Sequence, residues 1–123
     1  VVNCALTDET RHIIDAKVLR AMKSTGFIIN VGRGGLIEEQ ALYRALSERW
    51  IAGAVLDVWY RYPSDADPHP RPSRFDFHEL DNVIMTPHAS GMTDGMVERR
   101  WTQIARNLDS LAMAKSLMNL IAH

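Results

Sequence analysis

Three polar residues each follow an apolar run in this 123-residue chain: Arg33 after Phe27–Val31, Asp57 after Ile51–Leu56, and His88 after Asn82–Thr86. Each type has its own chemistry. A guanidinium presents a fixed fork of N–H donors that matches a carboxylate with two parallel hydrogen bonds. Imidazole is the side chain suited to proton transfer near neutral pH. A carboxylate such as Asp57 accepts hydrogen bonds from an amide. Gly32, Gly34 and Gly35 flank Arg33 and let backbone and ligand approach closely. An arginine clamp beside an acid–base histidine suits a small carboxylate substrate with a reducible carbonyl. Singly, each residue also has a plainer reading: a tight turn with a solvated arginine, an aspartate closing a strand end, and a structural histidine after Thr86-Pro87. Joint placement carries the functional reading.

That placement depends on the elements. The pattern predicts a strand over Val1–Ala5, then a short helix after the N-cap Asp15 with Val18, Leu19 and Met22 on one face, stopped near Gly26. Phe27-Ile28-Ile29-Asn30-Val31 has the continuous apolar character of a strand buried on both faces. A second helix is expected from Glu38 to Arg49, with Glu38 and Glu39 in its first turn, Arg49 in its last, and Ala41, Leu42, Ala45 and Leu46 as its inner stripe. Ile51–Val58 reads as the next strand. Trp59–Asp81 has no usable period and contains Pro63, Pro68, Pro70 and Pro72, so a long functional loop is expected. Asn82–Thr86 is a short last strand stopped by Pro87. From Met92 a long helical pattern follows through Val97, Trp101, Ile104, Ala105, Leu108, Leu111 and Ala112, with a continuation to Leu117 left open.

Alternating apolar strands and helices imply a parallel sheet covered by helices on both faces. In such sheets ligands bind beyond the carboxyl ends of the strands. Arg33, Asp57 and His88 all lie at those ends, on one edge of the sheet. Gly32-Arg33-Gly34-Gly35 is a poor phosphate loop, because the third glycine at dinucleotide spacing would fall at position 37, which is Ile37.

Composition narrows the classes further. Hydrophobic residues make up 46% and charged residues 24%, which excludes a disordered chain. The formal net charge of −1 offers no field for nucleic acid or an anionic membrane. No stretch has the apolar length of a membrane helix. The single cysteine, Cys4, excludes an internal disulfide and is expected to be a small buried hydrophobe. His12, His69, His78 and His123, with Asp65, Asp67 and Asp76, lack metal-ligand spacing, so no metal is expected. Met92, Met96, Met113 and Met118 read as packing, and Arg99-Arg100 as solvated. Trp59, Tyr60 and Tyr62 lie beside Asp57, either lining the crevice or packing the loop. A cytoplasmic globular protein is the expectation.

Three segments together resemble the D-isomer-specific 2-hydroxyacid dehydrogenases: Gly26-Phe27-Ile28-Ile29-Asn30-Val31-Gly32-Arg33-Gly34, Gly53-Ala54-Val55-Leu56-Asp57-Val58, and Thr86-Pro87-His88-Ala89-Ser90-Gly91. Leu6-Thr7 through Thr10 and Leu19-Met22-Lys23 also fit. The resemblance covers almost the whole chain, but only the C-terminal portion of a family member. It implies an α/β fold: part of a Rossmann-type doubly wound parallel sheet plus a long C-terminal helix. Residues 1–91 would be the second half of a dinucleotide-binding domain. Residues 92–123 would form a helix and tail returning toward a substrate domain. Arg33 matches the family's substrate-carboxylate arginine and His88 its acid–base histidine. Val31, Gly32, Arg33, Asp57, His88, Ala89, Ser90 and Gly91 match segments lining the cofactor, NAD or NADP. The implied reaction is reversible hydride transfer between NAD(P)H and a small 2-keto acid, in a homodimer without nucleic-acid or membrane partners.

One position departs from the family pattern. Members usually carry a glutamate before the loop proline, hydrogen-bonded to the histidine. Here Tyr62 precedes Pro63, and a phenol supplies no negative charge at neutral pH. Two alternatives therefore stay open: a formate-dehydrogenase-like activity, which needs no proton on an alkoxide, and a nucleotide-binding interaction protein without turnover. The chain also opens on Val1-Val2-Asn3-Cys4-Ala5-Leu6, as if already inside a strand. It is expected to be part of a longer two-domain chain, catalytically inert and marginally stable alone.

Overall fold

Short β-branched and aliphatic runs set the sheet. In the computed structural model, which describes residues 1–120, three parallel strands form an open sheet in the order β1 (Phe27–Asn30), β2 (Gly53–Leu56), β3 (Val83–Met85). The register pairs Ile28 with Ala54 and Asn30 with Leu56, then Ala54 with Val83 and Leu56 with Met85. Side chains alternate across a strand, so Ile28, Asn30, Ala54 and Leu56 share one buried face. Helix α1 (Ala16–Ala21) begins at Asp15, whose carboxylate accepts the Val18 N–H at 2.8 Å. Helix α2 (Glu39–Ser47) buries Ala41, Leu42, Ala45 and Leu46, as its spacing predicts. With Leu19, Ile37, Ile51 and Phe77 these residues form the core on that face.

The structure corrects several expectations. Residues 1–5 are not a strand: a single bridge joins Val2 to Asn30, and Asn3, Cys4 and Ala5 are exposed. The Val2 N–H donates to the Ile29 carbonyl in β1, and the Val2 carbonyl accepts the N–H of Val31 just beyond it. Cys4 is consequently exposed rather than buried. Within the strands' own unit, helices cover one sheet face, not both. Phe27 and Ile84 on the opposite face are 64% and 62% exposed.

Glu39 does more than complement a helix dipole. It is 7% exposed, and its carboxylate accepts hydrogen bonds from Ser73 Oγ, Arg74 N and Arg74 Nε, each at 2.8 Å. Burial pushes its pKa up, but the bonds from Arg74 and Ser73 outweigh burial and leave it below the ordinary value. Tyr43 stacks on Phe75 and meets Phe77 edge-on. The second half of the long 59–81 connection is thereby fastened to α2 and includes a short 3-10 turn at Phe77–Glu79. Arg49 lies beyond α2 with positive φ, ion-paired to Asp81.

The chain forms two compact units, Val1–Ser90 and Gly91–His123, the latter described as far as residue 120. In the second, helix α3 (Met96–Ala112) has 17 residues, a span of about 25 Å. It starts at 96 rather than 92 because Gly95 is left-handed (φ 71°) and Arg99 bonds back to Thr93 and Asp94. It stops before 117, where Asn107 and Met118 exchange hydrogen bonds that fold the chain back. Val97, Trp101, Ile104, Leu108 and Leu111 keep the expected spacing, and no residue of α3 is buried. The last three residues of the predicted tail, 121–123, lie outside the described residues.

Candidate active site

The carboxyl ends of all three strands open on one edge of the parallel sheet. At the end of β1, Asn30 is 1% exposed. Its Oδ1 accepts the Gly32 N–H at 3.1 Å and its Nδ2 donates to the Arg33 carbonyl at 3.0 Å. This brace shapes the turn that carries Arg33. The Arg33 side chain is exposed and donates through Nη1 to the Gly32 carbonyl at 2.7 Å. It enters no ion pair among the described residues. It lines a cleft of about 520 Å³ together with Asn3–Leu6, Val31 and Gly32. Next to it, Gly34 passes so close to the β2 loop that a Cβ would stand 2.3 Å from the Trp59 carbonyl oxygen.

At the end of β2, Asp57 is 1% exposed and already fully engaged. Its carboxylate accepts hydrogen bonds from Thr86 Oγ1 at 2.6 Å, Ala89 N at 2.8 Å and Ser90 N at 3.0 Å. Burial alone would raise its pKa, but the hydrogen bonds from Ser90, Thr86 and Ala89 hold it well below the usual carboxylate range. Asp57 is thus the tether of the β3 loop rather than a free acceptor in the crevice.

That tether explains the backbone of His88, which has φ 59°. Left-handed backbone at a residue other than glycine costs on the order of 1 kcal/mol and persists only where its surroundings over-determine it. Here the two N–H groups immediately after His88 are held by Asp57. The imidazole is exposed, and its Nδ1 lies 3.1 Å from the Tyr62 hydroxyl. His88 and Tyr62 line a second cleft, of about 440 Å³, with Trp59, Arg61, Met85 and prolines 63, 70, 72 and 87. Ser90 is exposed, and Gly91 has open space where a Cβ would stand.

The structure therefore joins Asp57 to the loop of His88 and brings the Arg33 turn against Trp59. The Arg33 and His88 side chains line different clefts and do not touch. Sequence reasoning did not pick out Asn30 or Thr86 as site-building residues. The available signal for Asn30 was a polar amide inside an otherwise apolar strand, since a buried amide must find partners.

Replacing Asp57 by asparagine is expected to cost about 2 kcal/mol of stability, because an amide nitrogen faces donors that a carboxylate accepted. The sign with pH follows. A lowered native pKa contributes stability that is present above the ordinary value of 3.8 and is lost as pH falls from there through the native value. Urea unfolding of the whole protein between neutral pH and acid checks both points. A variant as stable as the native protein, with the same acid limb, would contradict the tether.

Parallel strands, helices on the sheet and an arginine, an aspartate and a histidine at the strand ends define an α/β segment of the Rossmann type. Comparisons make the class specific. Residues 1–90 match the model of the D-isomer specific 2-hydroxyacid dehydrogenase, NAD binding domain. The chain is 38% identical over 120 residues to a glyoxylate reductase of Aeropyrum pernix, covering 98% of this chain and 34% of that protein. It is 38% identical over 121 residues to a glyoxylate/hydroxypyruvate reductase of Arabidopsis thaliana, covering 96% and 35%. Among solved structures, D-lactate dehydrogenase with NAD+ from Lactobacillus jensenii superimposes with a TM-score of 0.81 at 26% identity, covering 98% of this chain and 38% of that one. A D-isomer specific 2-hydroxyacid dehydrogenase from Xanthobacter autotrophicus, in complex with NADPH and MES, gives 0.77 at 30% identity, covering 98% and 46%. The chain belongs to the D-isomer specific 2-hydroxyacid dehydrogenase family, through its NAD binding domain. It spans about a third of the length of the curated relatives it matches.

Among the described residues, no group of three or more His, Cys, Asp or Glu is arranged to hold a metal ion. No helix among them is long and apolar enough to cross a membrane.

Proposed function

We propose that the whole protein is an NAD(P)-dependent oxidoreductase that interconverts a small 2-keto acid and its 2-hydroxy acid. Residues 1–91 would contribute the second half of its dinucleotide-binding domain, and 92–123 would lead toward its substrate domain. The observation that carries this reading is the Asp57 tether, which holds His88 in a left-handed conformation with its imidazole at a cleft. The cofactor fits the chemistry of the β1 cleft. About 520 Å³ is within the usual range for small-molecule sites, no carboxylate side chain lines the cleft, and Arg33 gives it a cation. Val31, Gly32, Ala89, Ser90 and Gly91 would line the bound dinucleotide beside Arg33 and His88.

Bound there, NADH or NADPH supplies the hydride for the keto carbon. Arg33 would clamp the substrate carboxylate with two parallel hydrogen bonds, fixing the keto group relative to the sheet edge. His88 would give a proton to the oxygen that becomes the hydroxyl. Asp57 keeps the imidazole in place without taking part in proton transfer. In this reading the segment alone is inert, and the whole protein is a cytoplasmic homodimer.

The direct test is oxidation of NADH or NADPH by the whole protein over a panel containing glyoxylate, hydroxypyruvate, pyruvate and longer 2-keto acids. Turnover with one of them is expected. Reduction of NAD by formate with no 2-keto acid turnover would select the formate reading. Tight cofactor binding with no turnover at all would select a non-catalytic interaction protein.

A further inference from the structure

The turn of Arg33 follows β1 and the loop of His88 follows β3, and these strands are not neighbours: β2 lies between them. What holds the two segments at their separation therefore comes from the residues after β2. On the β1 side Asp57 meets the strand itself, its N–H donating to the Asn30 carbonyl at 3.1 Å. Trp59 reaches beyond the strand ends on both sides. Its carbonyl oxygen stands against Gly34, where a Cβ would come within 2.3 Å of it. Gly34 opens the 3-10 turn Gly34–Leu36, whose N-cap is Arg33. On the other side, the Trp59 indole Nε1 donates to the Thr86 carbonyl at 3.0 Å, two residues before His88. We propose that Trp59 is a positioning residue that sets the span between the carboxylate clamp at Arg33 and the proton donor at His88. The proposal rests on the reading of those two residues given above.

Each end of this brace is firm. An indole nitrogen only donates, so the direction of the bond to Thr86 is unambiguous. Trp59 is buried, and a buried indole N–H normally holds a partner. Thr86 is itself fixed: its N–H donates to the Leu56 carbonyl and its hydroxyl to Asp57. At the Gly34 end the contact is backbone against backbone, which yields less than a flexible side chain does. The Trp59 N–H donates to the Tyr62 hydroxyl at 3.0 Å, so the residue is held by its main chain as well as by its ring. A 2-keto acid has its carboxylate on the carbon next to the carbonyl, so clamp and donor must stand at one fixed span. A misplacement of about 1 Å can cost on the order of a hundredfold in rate. Phenylalanine at position 59 keeps an aromatic ring but has no N–H for Thr86. Asp57 would still hold the backbone after His88, so the donor stays in its loop while the span to Arg33 relaxes.

The test compares a 2-keto acid with the matching 2-keto amide in the whole protein, native and Trp59→Phe. The amide lacks the carboxylate, so its reduction needs His88 and the cofactor but not the span to Arg33. Trp59→Phe should lower kcat for the acid roughly tenfold, with KM changed less than about twofold because the clamp itself is intact. The amide should keep its kcat/KM within about twofold. A residue that merely supports the fold or the His88 loop would lower both substrates together, and that result overturns the proposal, as does a native kcat for the acid. Gly34→Ala drives the same contact apart from the Arg33 side and should give the same pattern. In an Arg33→Ala background, which has no clamp, Trp59→Phe should cost the acid less than about twofold, and an undiminished tenfold loss there also overturns the proposal. Circular dichroism checks the fold of each variant. Loss of the fold in both Trp59→Phe and Gly34→Ala would make the contact purely structural and overturn the proposal. A native protein that reduces neither substrate overturns the proposed function and takes the proposal with it, whereas an active native protein with parallel losses removes the proposal alone.

Discussion

Replacing His88 with alanine in the whole protein is expected to lower kcat/KM for 2-keto acid reduction by about a thousandfold, in the range for loss of a positioned general acid. The loss should fall on kcat, because a proton is needed at the oxygen only as negative charge develops there. The structure supplies the control. His88 has φ 59°, so alanine adds backbone strain to the loss of the imidazole. Asparagine tolerates that conformation well and has no proton to give. His88→Asn should therefore retain the loop, since the Asp57 bonds go to the backbone of Ala89 and Ser90 and not to the imidazole. It should still lose activity to the same extent. Stopped-flow or steady-state assay of both variants decides the matter. An asparagine variant with more than about a tenth of native kcat would remove His88 as the acid.

Arg33→Lys carries the second largest expected effect. Lysine keeps the charge but not the fork, so one of two parallel charge-assisted bonds to the substrate carboxylate is lost, a cost of about 2–3 kcal/mol. KM for a 2-keto acid should rise on the order of a hundredfold, with a smaller fall in kcat. Stability should change by less than about 0.5 kcal/mol, as expected for an exposed side chain. Among the described residues, its guanidinium hydrogen-bonds the neighbouring Gly32 carbonyl and enters no ion pair. The turn itself is held by Asn30, which bonds the backbone of residues 32 and 33. A keto amide, which lacks the carboxylate, should be turned over equally by native and variant protein. A native KM for the keto acid in Arg33→Lys would show that the carboxylate is bound elsewhere. The same pair of substrates also tests whether Arg33 and His88, which line different clefts here, serve one substrate.

What the amino-acid pattern made legible was mostly local. The Phe27–Val31 run announced β1, and the 3.6-residue spacing of Ala41, Leu42, Ala45 and Leu46 announced the buried side of α2. Asp15 announced the start of α1. The pattern failed where a neighbour distant in sequence set the outcome. Val1–Ala5 has the composition of a strand, yet among these residues only Val2 forms a bridge, to Asn30, while Asn3, Cys4 and Ala5 stay exposed. Glu39 read only as dipole complement; it does stand in the first turn of α2, and it also anchors Ser73 and Arg74, more than 30 residues on. Asp57 read either as an acceptor in the crevice or as an aspartate closing a strand end, and only the structure shows that its carboxylate goes to Thr86, Ala89 and Ser90. The 59–81 connection looked structureless because the contacts that order its second half, Tyr43 with Phe75 and Phe77, have no period to betray them.

The sequence by itself determined the strand and helix types, the parallel α/β class, and the identity of the three groups at the strand ends. Periodicity and strand-end position depend only on near neighbours along the chain, so they survive without a structure. The tertiary structure alone decided which of those groups are free. Asp57 is bound and buried, Arg33 lies exposed along its own cleft, and His88 is held in a left-handed conformation with a phenol on Nδ1. The outcomes at Asp57 and His88 depend on pairs 26 to 33 residues apart, whose register is set only when β2 and β3 align their carboxyl ends on one edge.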